Sequence, residues 1–203
     1  MTCCVSTSIH DKTDMVKRDE MPEAEALVHK NTGTAHRQLS HRECQHPVVK
    51  FPVTVLADDF DVPMNVGSVF RLCDALGVEK LYLTGASPLP SNRKVVKTSR
   101  STEQYVDHEY RADPVAMVND LKRSGYTIIG LEITSRSVDL RTIDFSRMEK
   151  ICLIVGAEGT GIKQALLDCC DLTVHIAMRG MNSSMNVAAA CAIALYEITR
   201  RFK

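Results

Sequence analysis

Three short segments of this 203-residue chain combine glycine with polar side chains in patterns that suit a nucleotide-like ligand. The first runs from Asn65 through Gly67 to Arg71 and is predicted to open a helix. Backbone N–H groups at a helix start favour anions, and Arg71 would lie two turns further along. The simpler interpretation is that Asn65 caps the helix, Gly67 permits close packing and Arg71 is a solvated charge.

The second segment begins at Gly156, ends at Gly161 and has Glu158 and Gly159 between them. Three glycines in six residues let a ligand approach the backbone closely. The segment does not match the dinucleotide fingerprint G-x-G-x-x-G, and the lysine of a P-loop would have to stand where Ile162 does. Glu158 would also repel a triphosphate. The pattern favours a nucleotide-like ligand without phosphates over ATP or NAD, with a plain strand-to-helix turn as the alternative.

The third segment runs from Ile176 to Val187 through a loop rich in Gly, Asn and Ser. Asn186 would start the last predicted helix, and by itself it could be no more than an N-cap. Each of the three segments stands just beyond the carboxyl end of a predicted strand. Ligands bind at that edge in open α/β sheets.

Apolar strands and helices alternate along the chain from residue 51 to residue 203. Six segments are predicted strands: 53–57, 80–84, 105–110, 126–132, 151–155 and 172–176. Four segments are predicted helices: 65–76, with Gly77 as its stop, 114–124, 162–169 and 186–200. Residues 85–101 are predicted to be a Pro- and Ser-rich connection with a basic centre. The alternation predicts an α/β domain whose parallel sheet is covered by helices on both faces.

The first 50 residues have a different character. Residues 1–47 contain no aromatic side chain and five of the seven histidines, and nothing there could bury a core. We predict a flexible or loosely docked N-terminal arm over residues 1–50 and a folded domain over residues 51–203. His36, His41, Cys44 and His46 stand close together in the arm. Their spacings fit no common zinc pattern, so we expect no metal site.

Composition restricts the class of protein. Lys and Arg number 25, as do Asp and Glu, which argues against a protein that coats nucleic acid through bulk charge. Tryptophan is absent and aromatic residues are 5% of the chain, so base-stacking platforms are not expected to dominate. There is no apolar run of transmembrane length and no signal-peptide pattern. The eight cysteines are therefore expected to be free thiols in a reducing compartment, the cytoplasm.

Together and in this order, the three segments resemble the motifs of the SpoU (TrmH-like) branch of the SPOUT superfamily of RNA ribose 2′-O-methyltransferases. The first family motif has Asn-x-Gly, an arginine six residues after the asparagine and a glycine six residues later. The second is Gly-x-Glu-Gly-x-Gly, and the third is Ile-x-Met-x-Gly followed by Ser-Leu-Asn-Val, where Met185 replaces the usual Leu. The matching residues are Asn65, Gly67, Arg71 and Gly77; Gly156, Glu158, Gly159 and Gly161; and Ile176, Met178, Gly180, Ser184, Asn186 and Val187.

The resemblance, which spans Val53 to Phe202, implies an α/β domain whose C-terminal part threads a trefoil knot. It implies a homodimer with the active site near the interface, and S-adenosylmethionine as cofactor. The reaction would be methyl transfer to a ribose 2′-hydroxyl in tRNA or rRNA, and the short extension slightly favours tRNA. The residues expected to bind the cofactor are Leu131, Glu132, Gly156, Gly161, Ile176, Met178 and Met185.

The resemblance also assigns catalytic roles. Arg71 matches the family residue that activates the 2′-hydroxyl. Because a guanidinium stays protonated at neutral pH, we expect Arg71 to clamp the adjacent phosphate and stabilise the forming alkoxide. Asn65 and Ser184 are expected to orient the ribose or Arg71. Glu158 is expected to hold loop backbone or Arg71, and Asn186 to brace the third loop.

RNA contact would be local to a few basic side chains. Residues 91–100 contain four of them and no acid, although a solvated loop would look the same. The residues expected to contact RNA are Arg71, Arg93, Lys94, Lys97, Arg100 and Arg179. Three alternatives stay open: a nucleotide-binding dehydrogenase or small ATPase, a catalytically silent RNA-binding or dimerisation module on the same fold, and a methyltransferase that acts on a base.

Overall fold

Seven strands form one parallel sheet in the computed structural model, which describes residues 37–40, 43 and 47–202. The strands are β1 (Phe51–Asp58), β2 (Val78–Thr84), β3 (Asp107–Arg111), β4 (Tyr126–Leu131), β5 (Val138–Asp139), β6 (Lys150–Val155) and β7 (Leu172–His175). Their order across the sheet is β3-β2-β1-β6-β4-β7-β5. Every neighbouring pair is parallel, as the alternation of strands and helices predicts.

Helices lie between most of the strands. They are α1 (Pro63–Ala75), α2 (Arg93–Ser99), α3 (Pro114–Arg123), α4 (Gln164–Leu167) and α5 (Val187–Thr199). Short 3₁₀ turns stand at Thr102–Gln104, Leu140–Thr142 and Phe145–Arg147.

Buried apolar side chains cover both faces of the sheet. On β1, Val53 and Val55 belong to the core that α1 and α5 complete, where Phe70 is fully buried. Leu56 points to the opposite face and packs in the core that α3 and α4 complete, together with Val118. A strand that is buried on both faces must be apolar at every position, which is why these strands appear as continuous apolar runs. The predicted α/β architecture is confirmed.

Helix α1 begins two residues earlier than predicted. Pro63 stands in its first turn, where the missing N–H costs nothing, and Val62 before it makes no side-chain cap. The interpretation of Asn65 as the helix cap is therefore wrong, since Asn65 lies within the first turn and is 7% exposed. The predicted stop is confirmed, because Gly77 follows the helix with a φ of 65°.

Helix α2 lies within residues 85–101, which the sequence predicts to be a connection. Asn92 caps it, since its side-chain oxygen accepts a hydrogen bond from the N–H of Lys94 at 2.9 Å. Within the helix only Val95 and Ser99 are buried, too few to produce an apolar period in the sequence. The helix is stabilised from outside, by close contact with α1 at Gly67.

Three other boundaries differ from the sequence-based expectation. The strand predicted at 105–110 is β3, a polar edge strand that starts at Asp107 after a 3₁₀ turn. The helix predicted at 162–169 is the single turn Gln164–Leu167. The two-residue strand β5 was not predicted, because two residues are too few to show a period.

The residues from Pro47 onward form a compact unit of their own. Most of the predicted arm, including His36, His41, Cys44 and His46, lies outside the described residues. The arm over residues 1–50, its lack of a metal site and the trefoil knot stay predictions. Nowhere in the described part of the chain is a helix both long and apolar enough to cross a membrane.

The contact between α1 and α2 yields a test of stability. A Cβ on Gly67 would lie 2.7 Å from the carbonyl oxygen of Val95 and 2.7 Å from the Cβ of Thr98. We expect Gly67→Ala to lower the free energy of unfolding by about 1–2 kcal/mol, because overpacking outweighs the better helix propensity of alanine. Urea denaturation measures the change.

The matched control is Gly159→Ala, because no heavy atom lies within 4 Å of the Cβ that this change would add. We expect its effect to stay within about 0.5 kcal/mol. Equal stability of Gly67→Ala and the unchanged protein would contradict the packing argument.

Candidate active site

Three polar side chains, one from each sequence motif, meet in a hydrogen-bond network. The Nδ2 group of Asn65 donates to Oε2 of Glu158 at 2.9 Å. The Nδ2 group of Asn186 donates to Oε1 of Glu158 at 3.2 Å and to Oδ1 of Asn65 at 3.1 Å. Both carboxylate oxygens of Glu158 are thus engaged by amides that lie 93 and 28 residues away in the sequence.

Each member of the network is positioned by a different element. Asn65 stands in the first turn of α1, and Glu158 stands in the turn after β6. Asn186 is the N-cap of α5, since its Oδ1 accepts hydrogen bonds from the N–H groups of Ala188 at 3.0 Å and Ala189 at 3.2 Å. Because the cap occupies the oxygen of this amide, its nitrogen is left to face Asn65 and Glu158.

The expected role of Glu158 is corrected by this geometry. Glu158 was expected to hold loop backbone or Arg71, but its carboxylate binds Asn65 and Asn186 instead. Arg71 is exposed on α1, about 9 Å further along the helix axis than Asn65. Within the described residues, Arg71 has no hydrogen bond or ion pair. Its guanidinium is therefore available to a group from outside the chain.

The glycine turn after β6 folds tightly onto itself. A Cβ on Gly156 would lie 2.2 Å from the carbonyl carbon and oxygen of Gly161. The N–H of Gly161 donates to the carbonyl of Ala157 at 2.9 Å, and Gly161 has a φ of 67°. Contact within the turn thus requires glycine at position 156, and the positive φ favours it at position 161. The tight-turn interpretation and a ligand site are both compatible with this geometry.

Glu132 connects the end of β4 to the same turn. Its Oε2 accepts a hydrogen bond from the N–H of Ile162 at 3.0 Å, and its Oε1 accepts one from the N–H of Ile133 at 2.9 Å. A Cβ on Gly161 would lie 2.3 Å from Oε2 of Glu132. The Glu132 carboxylate therefore packs against the main chain at Gly161 and fixes the end of the turn through Ile162.

Lys163 stands one position too late for the lysine of a P-loop. Its ammonium pairs with carboxylates at the end of β1. Its ammonium forms an ion pair with Asp59 and lies 3.7 Å from the buried carboxylate of Asp58. The hydrogen bond from Lys163 lowers the pKa of Asp59 from its usual value. A lysine held in this way secures the turn to β1 and is not free to bind a phosphate.

A cavity of about 520 Å³ opens among the ends of β4, β6 and β7 and the third loop, residues 176–186. All seven residues expected to bind the cofactor line it: Leu131, Glu132, Gly156, Gly161, Ile176, Met178 and Met185. Glu158 and Ser184 line it as well. The described lining contains no Lys or Arg, which suits a ligand without phosphates.

Several lining residues were missed from the sequence. The polar ones include Thr134, His175 and Ser183. His175 is the last residue of β7, so the rule that ligands bind at the carboxyl ends of strands could have indicated it. No local pattern indicates Thr134 or Ser183.

The basic side chains expected to contact RNA lie outside the cavity. Arg93, Lys94, Lys97 and Arg100 are all exposed on α2 or at its end. Because α2 packs against α1, this basic group lies beside the helix that carries Arg71. Arg179 is exposed in the third loop.

Cysteines of the core are not candidates for nucleophilic chemistry. Cys152 and Cys191 are fully buried as free thiols, and burial raises the pKa of each to about 12. A thiol with such a pKa stays protonated at neutral pH and is inert.

The model of the SpoU rRNA methylase family matches residues 52–196 of this chain. The chain belongs to this family. The SpoU match contains the whole network, from Asn65 to Asn186, and every residue that lines the cavity.

Relatives of the SpoU chain include a tRNA (guanosine(18)-2′-O)-methyltransferase from Escherichia coli K12. The two sequences are 33% identical over 150 residues, which cover 73% of this chain and 63% of the relative. The chain therefore spans less than two thirds of the length of that relative.

Solved structures of SpoU enzymes show the same fold. The A. aeolicus TrmH/SpoU tRNA modifying enzyme is 27% identical with a TM-score of 0.68, covering 76% of this chain and 77% of that one. The SpoU methyltransferase AviRb from Streptomyces viridochromogenes, in complex with the cofactor AdoMet, is 29% identical with a TM-score of 0.68. That alignment covers 76% of this chain and 62% of AviRb.

The double role of Asn186 in the SpoU site can be separated by substitution. We expect Asn186→Ala to lower the free energy of unfolding by about 1–2 kcal/mol, because α5 loses its cap. Asn186→Ser keeps a capping oxygen but removes the amide donor, so it should recover most of that loss. Thermal and urea unfolding measure both variants. Equal destabilisation by the two substitutions would show that capping is not the stabilising role.

Proposed function

We propose that this SpoU-family chain is an S-adenosylmethionine-dependent RNA methyltransferase that methylates a ribose 2′-hydroxyl in tRNA or rRNA. One observation carries the proposal. Glu158 both lines the cavity and joins the amides of Asn65 and Asn186, so all three family motifs converge on one site. The exposed guanidinium of Arg71 lies on the same helix as Asn65.

The cavity suits S-adenosylmethionine by its chemistry. The cofactor carries a sulfonium and an ammonium, and the lining offers two carboxylates, Glu132 and Glu158, with no basic side chain among the described residues. Ile176 and Met185 supply apolar wall, and the bare backbone at Gly156 lets a flat adenine approach. When bound, the cofactor supplies an electrophilic methyl group.

Side chains of this protein bind the RNA, stabilise the charge that forms and orient the ribose. Arg71 binds the phosphate beside the target ribose, and its charge stabilises the negative oxygen that forms as the 2′-hydroxyl loses its proton. A guanidinium cannot accept that proton, so Arg71 acts through its charge, and the phosphate that it holds assists the transfer. Ser184, exposed in the third loop, orients the ribose. Asn65, whose amide is occupied by Glu158 and Asn186, is a positioning residue.

Substitution of Arg71 separates cofactor binding from chemistry. We expect Arg71→Ala to bind S-adenosylmethionine as the unchanged protein does, because Arg71 does not line the cavity. Methyl transfer should fall by about 10²–10³-fold, the usual effect of losing a group that stabilises an oxyanion. Calorimetry measures binding, and nucleoside mass spectrometry of tRNA and rRNA from a deletion strain measures 2′-O-methylation.

The matched control is Arg147→Ala, since Arg147 is exposed on a 3₁₀ turn and belongs neither to the three motifs nor to the lining of the cavity. Full activity of Arg71→Ala would end the catalytic assignment. A wild-type chain that transfers methyl groups to no RNA would favour the catalytically silent module, and a methylated base would favour the base methyltransferase.

The RNA surface is proposed to be the exposed basic group on α2. Relatives named as tRNA-modifying enzymes support tRNA as the first substrate to test. Phosphate contacts release counterions, so each one adds to the salt dependence of binding. Because the net charge of the chain is zero, a local group of this kind must supply the attraction.

Charge reversal tests this surface. We expect the paired substitutions Lys94→Glu and Lys97→Glu to weaken tRNA binding. The slope of log affinity against log salt should flatten by about 0.7–0.9 for each phosphate that the variant fails to bind. Filter binding at several salt concentrations measures the slope. Arg123→Glu is the control, because Arg123 lies on α3 at the opposite face of the sheet. An equal effect of the control would contradict a local surface.

The homodimer and a cytoplasmic location also belong to the proposal. An apolar groove of about 460 Å³ runs between α1 and α5, with Leu72 and Ala192 in its lining. Ile193 and Tyr196, which also line it, are 44% and 65% exposed. Exposed apolar surface of this kind supports a partner copy at this face. The free thiols of the described cysteines support a reducing compartment.

A further inference from the structure

His175 is a polar side chain of the cavity that none of the three sequence motifs contains. It is the last residue of β7, is half-buried and lines the same cavity as Glu132 and Glu158. Its Nδ1 lies 3.0 Å from Oγ of Ser137. The other ring nitrogen, Nε2, has no hydrogen-bond partner among the residues that the structure describes.

The hydrogen bonds of Ser137 bear on which ring nitrogen of His175 carries the proton. Oγ of Ser137 accepts from the N–H of Thr134 at 3.0 Å, and its hydroxyl donates to the carbonyl of Thr134 at 3.0 Å. A hydroxyl has one proton, and the two acceptors within reach of this one are the Thr134 carbonyl and Nδ1 of His175. When the proton goes to the carbonyl, the imidazole donates the contact, so Nδ1 of neutral His175 carries the ring proton and Nε2 is an acceptor.

The turn that holds His175 is itself fixed to the sheet. The hydroxyls of Thr134 and Thr173 lie 3.0 Å apart, which ties the turn at residues 134–137 to β7. An imidazole oriented in this way resembles a metal-binding histidine, whose second nitrogen is held by a neighbouring group so that the first is presented to its ligand. Fixing the orientation of a ring costs conformational entropy. A side chain that only fills space does not need a ring nitrogen held in one direction.

We propose that Nε2 of His175 accepts a hydrogen bond from an N–H or O–H group of bound S-adenosylmethionine, and that Ser137 sets the tautomer that makes this possible. This inference rests on the proposed function, because it takes the cofactor of that function as the ligand. The cofactor carries several suitable donors: the adenine amino group, the ribose hydroxyls and the ammonium. His175 is thereby a cofactor-binding residue outside the three motifs.

Calorimetry with S-adenosylhomocysteine and S-adenosylmethionine tests the contact directly. His175→Phe keeps a ring but removes the acceptor, and we expect it to weaken binding about tenfold. His175→Gln places a carbonyl oxygen within reach of the Nε2 position and should recover part of the affinity. Ser137→Ala frees the tautomer and should weaken binding less than His175→Phe. Wild-type affinity in a folded His175→Phe would overturn the inference.

Failure of the proposed function gives a different result in the same experiment. If the unchanged protein binds neither compound, the cofactor assignment itself is wrong and the inference falls with it. If the unchanged protein binds both, only the comparison with His175→Phe decides the role of His175. The two failures are therefore distinguishable.

Nitrogen NMR of histidine-labelled protein tests the tautomer without a substitution in the site. His175 should show a protonated Nδ1 and an unprotonated Nε2, and the Nε2 signal should move when S-adenosylhomocysteine is added. His108 is an internal reference, because its Nδ1 lies 3.0 Å from the carbonyl of Val106 and must also carry the proton. Its signals should stay in place. A protonated Nε2 on free His175, or no shift on saturation, would overturn the inference.

Discussion

The carboxylate of Glu158 is the interaction on which the rest of the site depends. Its two oxygens accept hydrogen bonds from the amides of Asn65 and Asn186, and it also faces the cavity. An amide has distinct donor and acceptor ends, so this arrangement fixes the orientation of each side chain as well as its position. The start of α1, the glycine turn and the start of α5 are held in register by one charged group.

Close approach of backbone to backbone shapes the surroundings of that group. Gly67 brings α2 against α1, and Gly156 lets the turn after β6 fold against Gly161. In both places the missing side chain is explained by contact within the protein, without any ligand. The cavity lies beside this turn, with Gly156 and Gly161 in its lining. Its apolar and acidic lining then sets the chemistry that it can accept.

The sequence predicted what repeats locally and missed what depends on distant partners. Strand β6 was predicted because burial on both faces makes every residue from Ile151 to Val155 apolar. Helix α2 was missed because its stabilising contact is with Gly67, in another helix. The motifs indicated Glu158 as a site residue, but no local rule assigns a carboxylate to two amides and not to Arg71. His175 was missed because a single histidine at a strand end has no periodic signal.

The N-cap of α5 has a consequence for how the protein is made. The cap residue Asn186 stands 121 residues after its partner Asn65 in the sequence. Contacts of such long sequence separation are slow to form, because closing the chain between them costs entropy. A chain still attached to the ribosome can fold its first strands and the glycine turn before the third member of the network has emerged. The network of Asn65, Glu158 and Asn186 is therefore complete only after Asn186 has left the ribosome and joined its two partners.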